Sequence, residues 1–338
     1  MVASPDYVIA GAGIIGLSLA LELDRRGASV VVLEAGRAMA QTSTAAAGML
    51  SVEDPLNPPV LRPLSELSAS LYPPFLDRIA DLSGMRVPFQ TTATLEQDEE
   101  SNFDAHALVP RLAATAPSFG LLNECSVDPR QLAPALLAAV RATRIVLREQ
   151  TPLMRVQVGE DQVRVETIGD SVEAAFLIDC MASWSPSPVF PRKGQMFAVQ
   201  LPEGLDLGVT IRTPEVYIVP RTVGPNAGRA IIGATIEDVG FDLTVHGFDI
   251  LTLNARATRL LPGLAEAQFI ESWAGLRPAT ADGLPMLGAL ASKKRYVLGT
   301  GHFRNGILLA PGTAQVLADL LTDEPPAIDL KPFFPGRF

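Results

Sequence analysis

The chain has 338 residues, of which 48% are apolar and 19% charged, and carries a net charge of -10 at neutral pH. That length and composition suit a globular protein with room for two domains sharing an interface. The acidic balance argues against nucleic acid or an anionic membrane surface as a partner, because phosphate binding needs clustered Lys and Arg.

Residues 6–10 read as a short apolar strand that runs directly into Gly11-Ala12-Gly13-Ile14-Ile15-Gly16. A helix pattern follows through Arg26, Gly27 stops it, and residues 29–33 form a second apolar strand ending in Glu34. Strand, G-x-G-x-x-G, helix, strand and terminal acid make up a dinucleotide-binding fingerprint. Gly11 permits the tight turn, Gly13 lets the backbone approach a pyrophosphate, and Gly16 lets the helix close on the strand. The pyrophosphate is expected on the amides of the helix beginning near Ile14. Glu34 is expected to accept hydrogen bonds from a ribose, and its charge disfavours a 2′-phosphate there. Which dinucleotide binds is open at this point.

Residues 41–50 (Gln-Thr-Ser-Thr-Ala-Ala-Ala-Gly-Met-Leu) are dense in small side chains. Thr42 and Ser43 can cap a helix or bond phosphate, and Ala47 and Gly48 allow a flat ring to come close; a small-residue helix packed on the sheet accounts for the segment equally well. Residues 54–63 hold four prolines and read as an irregular connection, with helices expected over 65–82 and 103–116. Asp128-Pro129 places an N-cap and a first-position proline before a helix through Ala142. Strands are expected at 144–147 and 175–178, with a hairpin pairing 153–158 and 163–168. Further strands follow at 196–201, 209–212, 216–219 and 229–234. After a helix at 249–260, a strand at 269–273 leads into Gly275-Leu276-Arg277-Pro278. A last strand at 296–298 enters Gly299-Thr300-Gly301-His302-Phe303-Arg304-Asn305-Gly306, which opens a final helix from Ile307.

Arg277 follows an apolar strand between Leu276 and Pro278, an awkward place for a purely solvated charge. Its guanidinium can offer a carboxylate two parallel hydrogen bonds, which lysine cannot reproduce. Cys125 and Cys180 match no metal or redox spacing, and three histidines cannot build a histidine-rich centre, so no metal is expected. No basic segment precedes the first apolar run, and the uncharged stretches are broken by glycine or proline. Neither a leader nor a spanning helix is therefore expected, and the expected location is cytoplasmic.

In order along the chain, the fingerprint and the segments 45–50, 217–221, 232–235, 273–278 and 301–311 together resemble the D-amino-acid oxidase superfamily of flavoproteins. Within it the likeness is greatest to the glycine oxidases, which are associated with making the thiazole of thiamine. The resemblance implies an α/β plus α+β fold: a discontinuous Rossmann-like FAD-binding domain (1–80, 126–182 and 275–338) and an antiparallel β-rich substrate domain (81–125 and 183–274). It implies FAD, with the ADP half on Gly11, Gly13, Gly16, Glu34 and Ala35. Ile14, Ile15, Thr42, Ser43, Ala47, Gly48 and Met49 match flavin-binding positions, and Val156 matches a backbone contact to the adenine part. His302, Phe303, Arg304, Asn305, Gly306, Ile307 and Leu308 match the segment beneath the flavin ring. A helix starting near Arg304 would there aim free amides at the ring edge that becomes negative on reduction.

In the resembling enzymes the arginine matching Arg277 grips the amino-acid carboxylate, Arg304 matches a second substrate contact, and Tyr217 matches a tyrosine holding the same carboxylate. The implied reaction oxidises glycine or a similar small amino acid with dioxygen, releasing keto acid, ammonia and hydrogen peroxide. Alternatives are an oxidase or dehydrogenase for sarcosine, D-proline or another secondary amine, and a flavin-binding protein without turnover. No cysteine lies in 296–306 to tether the flavin, so FAD is expected to be non-covalent; oligomeric state is left open. Three departures stand out. Ala182 replaces a family glycine, Glu215 replaces a histidine and is expected to alter the pocket's charge, and the 54–125 region is short.

Overall fold

The computed structural model describes residues 4–338. Tyr7–Ala10 and Val30–Leu33 are continuous apolar strands, which only a sheet covered on both faces can bury. They lie at the centre of a six-stranded sheet ordered Met286–Leu290, Lys293–Thr300, Phe176–Asp179, Tyr7–Ala10, Val30–Leu33, Val146–Arg148. Neighbours are parallel except Met286–Leu290, an antiparallel edge strand. Alternation within Tyr7–Ala10 sends Tyr7 and Ile9 to one face and Val8 and Ala10 to the other. The first face is covered by the helices Ile14–Arg25, Arg62–Ser83, Pro129–Arg141 and Gly306–Leu321. The second meets a small antiparallel sheet of Arg155–Val158, Val163–Thr167 and Asp170–Ala174.

A second large sheet is ordered Gln268–Ala279, Phe190–Gln200, Arg229–Gly233, Tyr217–Arg221, Thr210–Arg212, Thr94–Gln97, Phe119–Leu122. Only the pairing of Thr210–Arg212 with Thr94–Gln97 is parallel. Phe197, Ile218 and Ile232 pack on the helix Gly247–Leu260. The opposite face carries Met196, Gly233 and Tyr217 in register across three strands.

Expected elements appear with shifted ends. The helix after Asp128 is Pro129–Arg141, and the Asp128 carboxylate accepts the Arg130 amide at 2.9 Å. The helix expected over 103–116 does not form. Only the single turn Ala105–Ala107 is present, capped by Asp104, whose carboxylate accepts the His106 amide at 3.1 Å, and it is not continued because Pro110 has no amide to donate. Ala105, Val109 and Leu112 are buried nonetheless, so apolar spacing located the packed residues and not their conformation.

The last helix contains Pro311, which cannot supply the amide that the Ile307 carbonyl would otherwise accept. Tyr72, fully buried on the helix Arg62–Ser83, donates its hydroxyl to that carbonyl at 2.5 Å. Ser68, one turn earlier, bridges the Leu308 carbonyl (2.6 Å) and the Gly312 amide (2.8 Å). Two hydroxyls thus repair the interrupted helix. Among the described residues no helix is long and apolar enough to cross a membrane.

Candidate active site

A cleft of about 1130 Å³, counted out to its mouth, opens between the carboxyl ends of the parallel strands and the Tyr217 face of the second sheet. That is where open α/β sheets hold ligands, since strand ends and helix N-termini converge there. Its first wall is the fingerprint turn. Gly11 holds φ +102, and a Cβ there would collide with the Cys180 carbonyl; one at Gly16 would strike the Gly11 carbonyl oxygen. Both glycines thus shape the turn from behind, while Gly13, Ile14 and Ile15 line the cleft. Gly13 gives its helix no side-chain cap, and the Ile14 amide instead donates to Ser43 Oγ at 3.0 Å.

Glu34 accepts the Ala12 amide at 2.9 Å on one oxygen and the Gly36 amide at 2.8 Å on the other. The carboxylate therefore ties the two loops together beside the cleft, with exposed Ala35 next to it. Val156 is half-buried on the small antiparallel sheet, away from the cleft lining. Leu308 faces the helical core and is also outside that lining.

The second wall is almost free of side chains. Thr42–Ala45 is a single helical turn, after which Ala47, Gly48 (φ +89) and Met49 line the cleft, so the segment is both a short helix and a wall of small side chains. Three side chains pin it: Thr42 Oγ1 donates to the Leu276 carbonyl at 2.7 Å, Trp273 Nε1 to Ala45 at 2.9 Å and Arg221 to Ala47 at 2.8 Å. Gly275 and Gly299 continue the bare surface. Ala182 lines it as well, held at φ +52, where a methyl group is strained.

The third wall is the turn before the last helix. His302, Phe303, Arg304, Asn305, Gly306 and Ile307 all border the cleft. The helix starts at Gly306, one residue before the expected Ile307 and two after Arg304, which lies instead in the tighter 3₁₀ turn Phe303–Asn305 with Phe303 at φ +45. No acidic side chain opposes the dipole in its first turn. The His302 ring points inward, with Nε2 3.0 Å from Thr313 Oγ1, and burial holds its pKa down to about 3, so the imidazole is neutral.

Arg277 and Tyr217 face each other across the remaining side. Arg277 donates to the carbonyls of Thr235 (3.1 Å) and Lys193 (3.4 Å), and among the described residues no carboxylate pairs with it. Burial lowers its pKa, against the opposing influence of Tyr217. Burial raises that of the Tyr217 hydroxyl, opposed by Arg277, Arg304 and Arg221. Both side chains occupy space vacated by glycines: a Cβ on Gly194 would overlap the Arg277 guanidinium, and one on Gly233 would come within 2.6 Å of Tyr217 Oη. Arg304 also borders the cleft but is already paired, with Nη2 2.7 Å from Asp54 Oδ2. Glu215 does not reach this site. It lies in the turn before the Tyr217 strand and is drawn outward by Arg259, 2.7 Å away. Gly194, Gly233 and Asp54 carry no local sequence signal, since their roles depend on neighbours distant in the chain.

The family model for FAD dependent oxidoreductases matches residues 6–320. The chain belongs to that family. A Pseudomonas aeruginosa glycine oxidase is 30% identical over 98% of this chain and 99% of its own length. A bifunctional ThiO/ThiG protein of Trichormus variabilis is 32% identical over 98% of the chain and 55% of that protein, so the chain spans about half the length of the bifunctional relatives it matches. The crystal structure of glycine oxidase from Geobacillus kaustophilus superposes with a TM-score of 0.91 at 28% identity, covering 99% of both chains. The chain is thus a FAD dependent oxidoreductase family member that is similar to glycine oxidases over nearly its whole length.

Proposed function

We propose that this protein oxidises glycine or a similarly small amino acid to its imine, which water hydrolyses to a keto acid and ammonia while dioxygen leaves as hydrogen peroxide. The observation that carries this reading is Arg277: a partly buried guanidinium with no acidic partner among the described residues, set beside a tyrosine hydroxyl at the end of a bare-walled cleft. Desolvating a cation is costly unless an anion completes the site, and a substrate carboxylate matches it bidentately.

The cleft fits the family's cofactor. Gly13, without a side chain, leaves the N-terminus of its helix open to a pyrophosphate beside the Ile14 amide that Ser43 accepts, and Ala47, Gly48, Gly275 and Gly299 leave a surface that a flat ring can lie against. Met49, Thr42 and Ser43 border the same strip, and residues 302–307 close its other side. Glu34, Ala35 and Val156 would hold the adenosine end. When bound, FAD would supply an acceptor for two electrons, and no cysteine lies at 296–306 to tether it. On this reading residues 1–80, 126–182 and 275–338 form the cofactor domain and the rest the substrate domain.

Arg277 and Tyr217 fix the carboxylate, which orients the Cα–H bond without requiring a base at Cα. The reactive amine is neutral, so activity rises toward alkaline pH. Anaerobic mixing with glycine, sarcosine, D-alanine and D-proline tests the reading. Bleaching of the flavin by glycine or D-alanine, followed by one peroxide per turnover in air, is expected. A flavin that stays oxidised with every amine, or bleaches only with sarcosine or D-proline, refutes it.

A further inference from the structure

The cleft is lined by three charged side chains among the described residues: Arg277, Arg304 and Asp54. Asp54 comes from the proline-rich connection between the first βαβ unit and the helix Arg62–Ser83, and its side chain is 6% exposed against 22% for Arg304. Its two oxygens have separate tasks. Oδ1 accepts the Leu56 amide at 2.9 Å, which fixes the carboxylate on its own loop, and Oδ2 takes the Arg304 guanidinium at 2.7 Å. Three residues on, Asn57 accepts the Asn305 side-chain amide at 2.8 Å, so the loop is fastened to the 304–305 turn at two points. Arg277 has no such partner among the described residues. The cleft therefore presents two guanidinium groups and one carboxylate, a surplus of a single positive charge.

We propose that Asp54, by holding Arg304 in an ion pair, restricts this site to amines bearing one carboxylate and excludes amino-dicarboxylates. This rests on the function proposed above. A monocarboxylate with a neutral amine brings one negative charge, which Arg277 balances. A second carboxylate would meet Arg304 only by displacing Asp54, leaving that buried carboxylate unpaired, which is strongly unfavourable. Arg304 is then a reserve cation masked by the chain itself, and Asp54 is a specificity-determining residue. The two guanidinium groups also repel, Arg304 contributing to the depressed pKa of Arg277, so masking one favours the other's charged state.

The test uses FAD-loaded protein and two unreactive ligands that differ by one carboxylate, methoxyacetate and oxydiacetate, titrated against the flavin absorbance spectrum. Wild type should bind methoxyacetate and bind oxydiacetate more weakly. In Asp54→Asn the affinity ratio should move toward oxydiacetate by roughly tenfold or more, the worth of one freed charge-assisted contact. Asp54→Ser, whose hydroxyl can still accept the Leu56 amide, should do the same if the asparagine variant folds poorly. Adding Arg304→Gln should cancel the gain. A ratio unchanged in both Asp54 variants, or a gain that survives Arg304→Gln, overturns the masking role while leaving the carboxylate site intact. Failure of wild type to bind methoxyacetate overturns the proposed function and this inference with it.

Discussion

Gly194→Ala should disable the carboxylate site without replacing any residue that meets the substrate. Gly194 lies on the strand Phe190–Gln200 opposite Gly275, and the guanidinium of Arg277 occupies the space a side chain would take. All three terminal atoms of that guanidinium (Cζ, Nη1 and Nη2) would overlap the new methyl, so a rotamer change of the methyl cannot relieve the clash. Either the strands separate or Arg277 swings away and gives up its bonds to Thr235 and Lys193. Interdigitated strands resist, since each backbone step is fixed by its ladder, so the side chain moves. A displacement of about 1 Å in a positioning group costs on the order of 100-fold in rate, or about 2.7 kcal/mol. Full loss, as in Arg277→Ala, should cost about 2–5 kcal/mol. The assay pairs kcat/KM for the amino-acid substrate with methoxyacetate binding, while the flavin spectrum reports that cofactor remains bound. A Gly194→Ala enzyme with FAD bound and wild-type kcat/KM would refute the claim that Arg277 acts from the position seen here.

Tyr72→Phe removes the hydroxyl that compensates for Pro311 at the Ile307 carbonyl and should cost about 1–3 kcal/mol of stability, read by urea denaturation; no loss would mean that water satisfies that carbonyl. Ala182→Gly relieves a left-handed alanine and, after the added chain entropy of glycine, should stabilise by about 0.5–1 kcal/mol with unchanged or tighter FAD binding; a destabilised variant would show that the strain is relieved elsewhere. The buried His302 has a folded-state pKa of about 3 against 6.5, so below pH 6.5 the unfolded chain binds a proton that the folded one refuses. Stability from this group is therefore intact above pH 6.5 and falls by about 1.4 kcal/mol per unit below it. His302→Leu should flatten that slope between pH 6.5 and 5, and an unaltered slope would move the titration to another group.

The order of elements was legible because each rests on local chemistry. The fingerprint turn is readable from Gly11 and Gly16, whose lack of a side chain is required by atoms within a few residues or one strand away. The Asp128 cap and the long apolar strands are equally local. The failed 103–116 helix marks the limit: the burial pattern was right, but Pro110 and the Asp104 turn set the conformation. Short strands such as Thr94–Gln97 gain their identity only from the partners they meet in the seven-stranded sheet.

In the site, the sequence by itself pointed to Gly13, Ile14, Ile15, residues 42–43 and 47–49 and residues 302–307, all of which border the cleft, but also to Val156 and Leu308, which do not. It also marked Arg277 and Tyr217. What the tertiary structure decided is how the charges are shared. Arg277 and Arg304 are alike in sequence, yet one lies free beside Tyr217 and the other is held by Asp54, 250 residues earlier in the chain. Glu215, close to Tyr217 in sequence, is turned out to Arg259. Whether a charged group is available to a ligand depends on which opposite charge reaches it through space, and no local pattern records that distance.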